Sequence, residues 1–200
     1  MNARRVTRYP ALACVAAVLA LLVALGCDRK TPEVHCGDNA PAAGVVVDGP
    51  ILAYLSQARA LHHEASLHES VGKVDAALAS LNRLVDAPKP HQGTPVPEVE
   101  EVLADAYARM AELELSQGAL DRAAKDIDLG LIHAAGDTYF RGHLFEVRGL
   151  IEEARSRTLA DGGSKDAAEA ARKRALVALE EAIGIQDRVI RKALSDGGAP

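Results

Sequence analysis

The sequence predicts an all-α protein, and three observations support that prediction. Aromatic residues make up only 3% of the 200 residues and tryptophan is absent, so Ala, Leu, Val and Ile must fill the core. Ala and Leu favour helices, whereas the β-branched and aromatic residues typical of sheets are few after the first 50 residues. Beyond that point apolar residues recur every three or four positions, and breaker-rich stretches separate the periodic segments. No alternating pattern predicts a strand.

The first 26 residues predict a signal peptide for bacterial export. Residues 1–10 contain three arginines and no acid, and the apolar run Ala11–Leu25 follows them. This run is too short for a stable bilayer span, which needs about 20 residues. The pair Arg4–Arg5 leaves a twin-arginine signal as an alternative to the general secretion route, although the residues that follow differ from the twin-arginine pattern.

The segment Ala24-Leu25-Gly26-Cys27 resembles the lipobox of bacterial lipoproteins. In that family the cysteine thiol receives a diacylglycerol, and the signal peptide is cut just before the cysteine. The resemblance implies a mature protein lipidated on Cys27, anchored to the inner or outer membrane and facing the periplasm. Ala24 and Gly26 also fit an ordinary secretory cleavage site, which would leave no lipid.

The two alternatives leave the remaining cysteines in different chemical states. Cys14 would leave with the signal peptide, so only Cys27 and Cys36 would remain. If Cys27 is lipidated, Cys36 is a lone thiol. If Cys27 is not lipidated, the two cysteines could form a disulfide in an oxidising compartment.

The charge of the chain is acidic. The formal net charge is −5, and removal of the three signal-peptide arginines would leave 20 basic residues against 28 acidic ones, a net charge of −8. An excess of acid without a basic patch argues against nucleic acid as a partner.

The periodicity predicts a helical domain over residues 51–195, after a flexible tether over 27–50 and before a short disordered tail over 196–200. The predicted helices run from Ile51 to near Gly72, from Val74 to before Pro88, from Pro97 to Gln117, from Gly118 onward, from Gly136-Asp137 to Asp161, and from Ser164 to about Leu194. Short turns between them predict three antiparallel helical hairpins.

The hairpins resemble tetratricopeptide repeats, in which small residues allow paired helices to approach closely. The matching residues are Leu61, Ala65, Ala77 and Leu81; Tyr107, Met110, Ala111, Ala123 and Ile127; and Phe145, Gly149, Ala175, Leu179 and Ala182. The small residues are 12 positions apart in the first two hairpins and 26 apart in the third, which predicts a 14-residue insertion. The resemblance implies a right-handed α-solenoid, and an irregular helical bundle is the alternative.

Five residues depart from the repeat pattern, because polar groups stand where the family prefers apolar or aromatic side chains. They are Glu64, His68, Glu114, Arg148 and Glu152.

In the tetratricopeptide family, the first helices of the hairpins line a groove that binds a segment of a partner protein. The positions implied by this resemblance are Arg59, His62, Ser66, Glu69, Asp105, Glu112, Ser116, His143, Glu146 and Glu153. Acidic residues dominate, so we expect another envelope protein to bind through a basic segment. The alternative is a solvated surface without a partner.

The sequence offers no residues for catalysis, and we expect neither an enzyme nor a bound cofactor or metal. It has no Gly-rich phosphate loop and no nucleophile elbow around a serine. The cluster His62-His63-Glu64 with His68 lacks the second histidine of the zinc-hydrolase motif, because position 67 is Leu67. The predicted function is therefore a non-enzymatic interaction scaffold. A soluble periplasmic protein that binds a metal or small ligand through these histidines is the alternative.

Overall fold

The computed structural model describes residues 48–91 and 93–197, and within these ranges the regular structure is entirely helical, as predicted. The six helices are α1 (Gly49–Ser70), α2 (Val74–Val85), α3 (Pro97–Ser116), α4 (Leu120–His133), α5 (Tyr139–Asp161) and α6 (Lys165–Asp196). The predicted signal peptide, most of the tether, and Cys27 and Cys36 lie outside the described residues.

The start of α1 follows from its capping residue. The Asp48 Oδ1 atom accepts a hydrogen bond of 3.2 Å from the amide of Ile51, and Pro50 lies in the first turn. An N-cap acid satisfies an amide that has no partner within the helix, and proline suits the first turn because it lacks an amide proton. The helix therefore begins at Gly49, slightly before the predicted domain boundary at 51.

The fifth helix begins later than the predicted start at Gly136-Asp137. The Thr138 hydroxyl accepts a hydrogen bond of 3.2 Å from the amide of Arg141, and Thr138 has an extended backbone. This cap fixes Tyr139 as the first helical residue. Ser164, where the sixth helix was predicted to start, occupies the N-cap position of α6, but its side chain makes no capping hydrogen bond.

The turns within the three helix pairs α1–α2, α3–α4 and α5–α6 share one geometry. In each turn a glycine with a positive φ follows the first helix, namely Gly72 (φ 74°), Gly118 (φ 72°) and Gly163 (φ 78°). The amide after each glycine donates to the carbonyl five residues earlier: Lys73 to His68, Ala119 to Glu114 and Ser164 to Leu159, each 2.9 Å. This is the Schellman motif, which needs a left-handed residue that glycine adopts without strain.

The two helices of each pair pack against one another, and so do successive first helices. Helix α1 contacts α3, and α3 contacts α5. In contrast, no Cα atom of α2 lies within 8 Å of α4, and none of α4 within 8 Å of α6, among the described residues. The first helices α1, α3 and α5 therefore form one side of the array, where neighbours are in contact. The second helices α2, α4 and α6 lie on the other side, where neighbouring second helices are not in contact.

Small residues lie where the paired helices approach most closely. Ala65 and Ala77 are buried in one apolar cluster, and Ala111 and Ala123 are buried in another. In the third pair, a Cβ atom added to Gly149 would lie 2.7 Å from Leu179. A larger side chain at these positions would separate the helices, since protein cores have almost no free space.

Four of the five polar residues that depart from the repeat pattern form an ion pair with a residue of another helix. The pairs are Glu64 with Arg83 (2.9 Å), Glu114 with Arg122 (3.4 Å), Arg148 with Asp128, and Glu152 with Arg174 (2.8 Å). Charge pairing thus occupies positions where the family uses apolar contact.

Candidate functional site

The ten predicted groove residues all lie on the first helices of the three pairs. Helix α1 carries Arg59, His62, Ser66 and Glu69; α3 carries Asp105, Glu112 and Ser116; and α5 carries His143, Glu146 and Glu153. All are partly or fully exposed. We call this set, together with Arg109, the first-helix face.

Two contacts join α1 to α3 on the first-helix face. The His62 Nε2 atom lies 3.7 Å from Asp105 Oδ2, and the Glu69 carboxylate pairs with the Arg109 guanidinium. The partners are about 40 residues apart in sequence, so the fold brings them together. His62 and Asp105 both belong to the predicted set, whereas Arg109 does not.

A second set of contacts extends the network from α3 to α5. Arg109 Nη1 donates to Glu112 Oε2 at 2.9 Å, and Glu112 Oε1 lies 3.4 Å from His143 Nε2. The other ring nitrogen of His143 lies 3.6 Å from Glu146 Oε2. A continuous line of charged and titratable groups thus crosses three helices.

The network shifts the pKa values of its members. Contact with Glu112 raises the pKa of His143, and the same contact lowers the pKa of Glu112. Burial lowers the pKa of His62, against the opposing effect of Asp105. An imidazole between two carboxylates favours its charged form, whereas a buried imidazole without such a pair favours the neutral form.

Four predicted residues do not join the network. Ser66 and Ser116 donate to backbone carbonyls of their own helices, His62 and Leu113. Among the residues that the structure describes, Glu153 pairs only with Arg157, one turn along α5 at 3.8 Å. Arg59 is exposed and forms no ion pair within the described residues.

Sequence reasoning missed Arg109, the centre of the network. Its position is not one of the groove positions carried over from the repeat pattern. A signal was present, because Arg109 stands three residues before Glu112 and four after Asp105 on a predicted helix. Such spacing places the three side chains on neighbouring parts of one face.

The histidine cluster of α1 does not come together as a ligand set. His62 faces Asp105 on α3. Over residues 48–91 and 93–197, no three His, Cys, Asp or Glu side chains lie close enough to hold a metal ion. None of the helices in the described part of the chain is long and apolar enough to cross a bilayer.

No protein-family model, curated protein or solved structure matches the chain.

Proposed function

We propose that this chain is a non-enzymatic interaction protein of the bacterial cell envelope, anchored through a lipid on Cys27. In this proposal the first-helix face binds a basic segment of another envelope protein. The observation that carries it is the line of contacts from Glu69 through Arg109 and Glu112 to His143 and Glu146. These contacts make one surface from three helices that are far apart in sequence.

The recurring turns support an array of tetratricopeptide-like hairpins. Three glycine turns have the same hydrogen bonds, and each lies between helices that pack on small residues. Contact between successive first helices, without contact between α2 and α4 or α4 and α6, is what a curved array of hairpins would give. Such arrays bind extended segments on their inner side.

The charge on the first-helix face supports a basic partner. Five carboxylates stand there against two arginines, Arg59 and Arg109. The outer acids remain accessible, because 57% of the Glu146 side chain and 52% of the Glu153 side chain are exposed. Exposed ion pairs contribute only about 0–1 kcal/mol each, so a partner's lysines or arginines can replace the internal contacts.

Charge reversal at the two exposed acids tests the face. Glu146→Lys/Glu153→Lys changes the charge without removing Glu112, which contacts both Arg109 and His143. The matched control is Asp161→Lys/Glu180→Lys, which makes the same charge change at exposed acids elsewhere on α5 and α6. Cross-linking of full-length protein in its native envelope, followed by mass spectrometry, should show a partner that the control retains and the face variant loses. Retention of every partner by the face variant would refute the proposed surface.

A separate experiment tests the anchor. Cells fed an alkyne-tagged fatty acid should label the wild-type protein, and Cys27→Ala should abolish the label and release the protein from membranes. Cys36→Ala should retain both the label and the membrane association. Absence of the label from the wild type would favour the ordinary secretory cleavage site instead.

A further inference from the structure

A cavity of about 650 Å³ lies between α5 and α6. Its lining includes four basic residues, Arg141, Arg148, Lys173 and Arg174, together with the apolar side chains of Phe145 and Val177. The cavity is an open groove, because Lys173, Arg174, Val177 and Glu181 of its lining are exposed. A basic cavity is unexpected in a chain whose net charge is −5.

The cavity lies on a different side of α5 from the first-helix face. Arg141, Phe145 and Arg148 are four and three residues apart, which places them on one face of the helix. His143 and Glu146 are three residues apart and point to another face. The cavity is therefore distinct from the proposed partner surface.

Phe145 forms an apolar wall between two cations. The guanidinium carbons of Arg141 and Arg148 lie 5.2 and 5.6 Å from the centre of its ring. Val177 faces the cavity from α6 with 65% of its surface exposed. Because apolar surface and positive charge adjoin here, the cavity suits a ligand that has both an anionic head and an apolar body.

Two of the four cations are already paired within the protein. Arg148 pairs with Asp128, and Arg174 donates to Glu152 at 2.8 Å. In the described residues, Arg141 and Lys173 have no carboxylate within 4.0 Å, but Arg141 donates to the backbone carbonyl of Ala134 at 3.0 Å. Lys173 is thus the one cation of the lining without a partner in the described part of the chain. A single such cation, beside the acidic Glu181 of the same lining, favours an anion of low charge over a polyphosphate.

We propose that this cavity binds a small amphiphilic anion, a carboxylate that carries an unbranched apolar tail. Lys173 holds the carboxylate, since a charge-assisted hydrogen bond from an ammonium group is a strong one. The tail lies along Phe145 and Val177. This site is independent of the proposed partner surface and of the lipid on Cys27.

Photo-cross-linking tests the site on the full-length protein in its own membrane. The probe is decanoate with a diazirine in its chain, and labelled peptides are mapped by mass spectrometry. Label should appear on the peptides that contain Phe145 or Val177. An excess of decanoate should remove it, whereas the same excess of decanol or decylamine should not. Label spread evenly over the chain, or equal competition by decanol, would overturn the proposal.

Surface variants separate ligand binding from folding. Lys173→Glu and Val177→Gln change exposed side chains, so neither should impair the fold. Each should reduce specific labelling at least about fivefold. Lys192→Glu makes the same charge change at an exposed position of α6 outside the cavity lining and should leave labelling unchanged. Equal labelling of Lys173→Glu and Lys192→Glu would show that the cavity charge does not recognise the probe.

Discussion

Two buried glutamates, each three residues after a small residue on the first helix of its pair, differ in their hydrogen-bond and charge partners. Glu114 follows Ala111 by three residues on α3, and Glu152 follows Gly149 by three residues on α5. Both are buried, with 7% and 8% of their surface exposed. The resemblance to the repeat predicts an apolar residue at both positions. A buried carboxylate there needs charged or hydrogen-bonding partners.

Glu152 has such partners. Arg155 of α5 donates to one carboxylate oxygen at 2.7 Å, and Arg174 of α6 donates to the other at 2.8 Å. Both oxygens of the buried carboxylate therefore have charged hydrogen-bond donors. A buried charge is tolerated when it is paired and hydrogen-bonded in this way.

Glu114 lacks equivalent partners. Its Oε1 lies 3.4 Å from Arg122 of α4, and its Oε2 is buried without a hydrogen-bond partner among the described residues. Burial, followed by the nearby Asp126, raises the pKa of Glu114 to about 7. Burial also raises the pKa of Asp126. The comparison shows that the effect of a buried acid depends on its neighbours: two arginines donate to Glu152, whereas Glu114 has one arginine at 3.4 Å and a second acid nearby.

The largest expected effect comes from separating the α5–α6 pair at Gly149. Gly149→Val would place side-chain atoms against Leu179 and near the carbonyl oxygen of Ala175, which lies 3.3 Å from an added Cβ. The free energy of unfolding, measured with urea, should fall by about 2–3 kcal/mol. Gly142→Ala is the control, because there an added Cβ meets the flexible end of Gln186. Equal losses in both variants would contradict a close approach specific to Gly149.

The next effect concerns the buried acid of α3. The pKa of Glu114 in the folded protein exceeds the ordinary 4.5. As the pH rises, Glu114 therefore loses its proton at a lower pH in the unfolded chain than in the folded protein. The stability that this group contributes is present below pH 4.5 and is lost as the pH rises to about 7. Glu114→Gln removes this ionisation and should stabilise the protein by about 2 kcal/mol at pH 8, with little effect at pH 4.

The measurement is urea unfolding of wild type and Glu114→Gln from pH 4 to pH 8. The exposed Glu98→Gln serves as the control for loss of one negative charge. A stability difference between Glu114→Gln and wild type that stays constant over this range would show that Glu114 does not titrate with a raised pKa.

Local signals in the sequence account for most of the fold. Apolar periodicity identified all six helices of the described ranges, and the turn glycines Gly72 and Gly118 marked the ends of α1 and α3. Both patterns depend on neighbours a few residues apart. The start of α5 was placed too early because Gly136-Asp137 resembled a start signal, whereas the capping hydroxyl belongs to Thr138.

Side-chain partners were much less predictable. The offsets of the repeat identified His62, Asp105 and Glu112 as residues of one face, but they could not pair Glu69 with Arg109, which depends on the relative rotation of α1 and α3. The cavity between α5 and α6 was missed for a related reason. Its basic residues lie on α5 and α6, whose small residues Gly149 and Ala175 are 26 positions apart. The repeat pattern does not define this spacing, so it could not predict which side chains of the two helices meet.

The smallest expected effect tests the paired acid, Glu152. Glu152→Gln keeps the shape of the side chain but weakens its bonds to Arg155 and Arg174. Both arginines can be rehydrated, since they are partly exposed, so the loss of stability should be only about 1 kcal/mol. A double-mutant cycle with Arg174→Met isolates the interaction, because it subtracts the effects that each change has alone.

The matched control is the cycle between Glu169 and Arg172, an exposed ion pair of 3.0 Å within α6. The Glu152–Arg174 coupling should be about 1 kcal/mol, and the exposed pair should give a few tenths. Equal couplings would mean that burial adds nothing to the pair at Glu152.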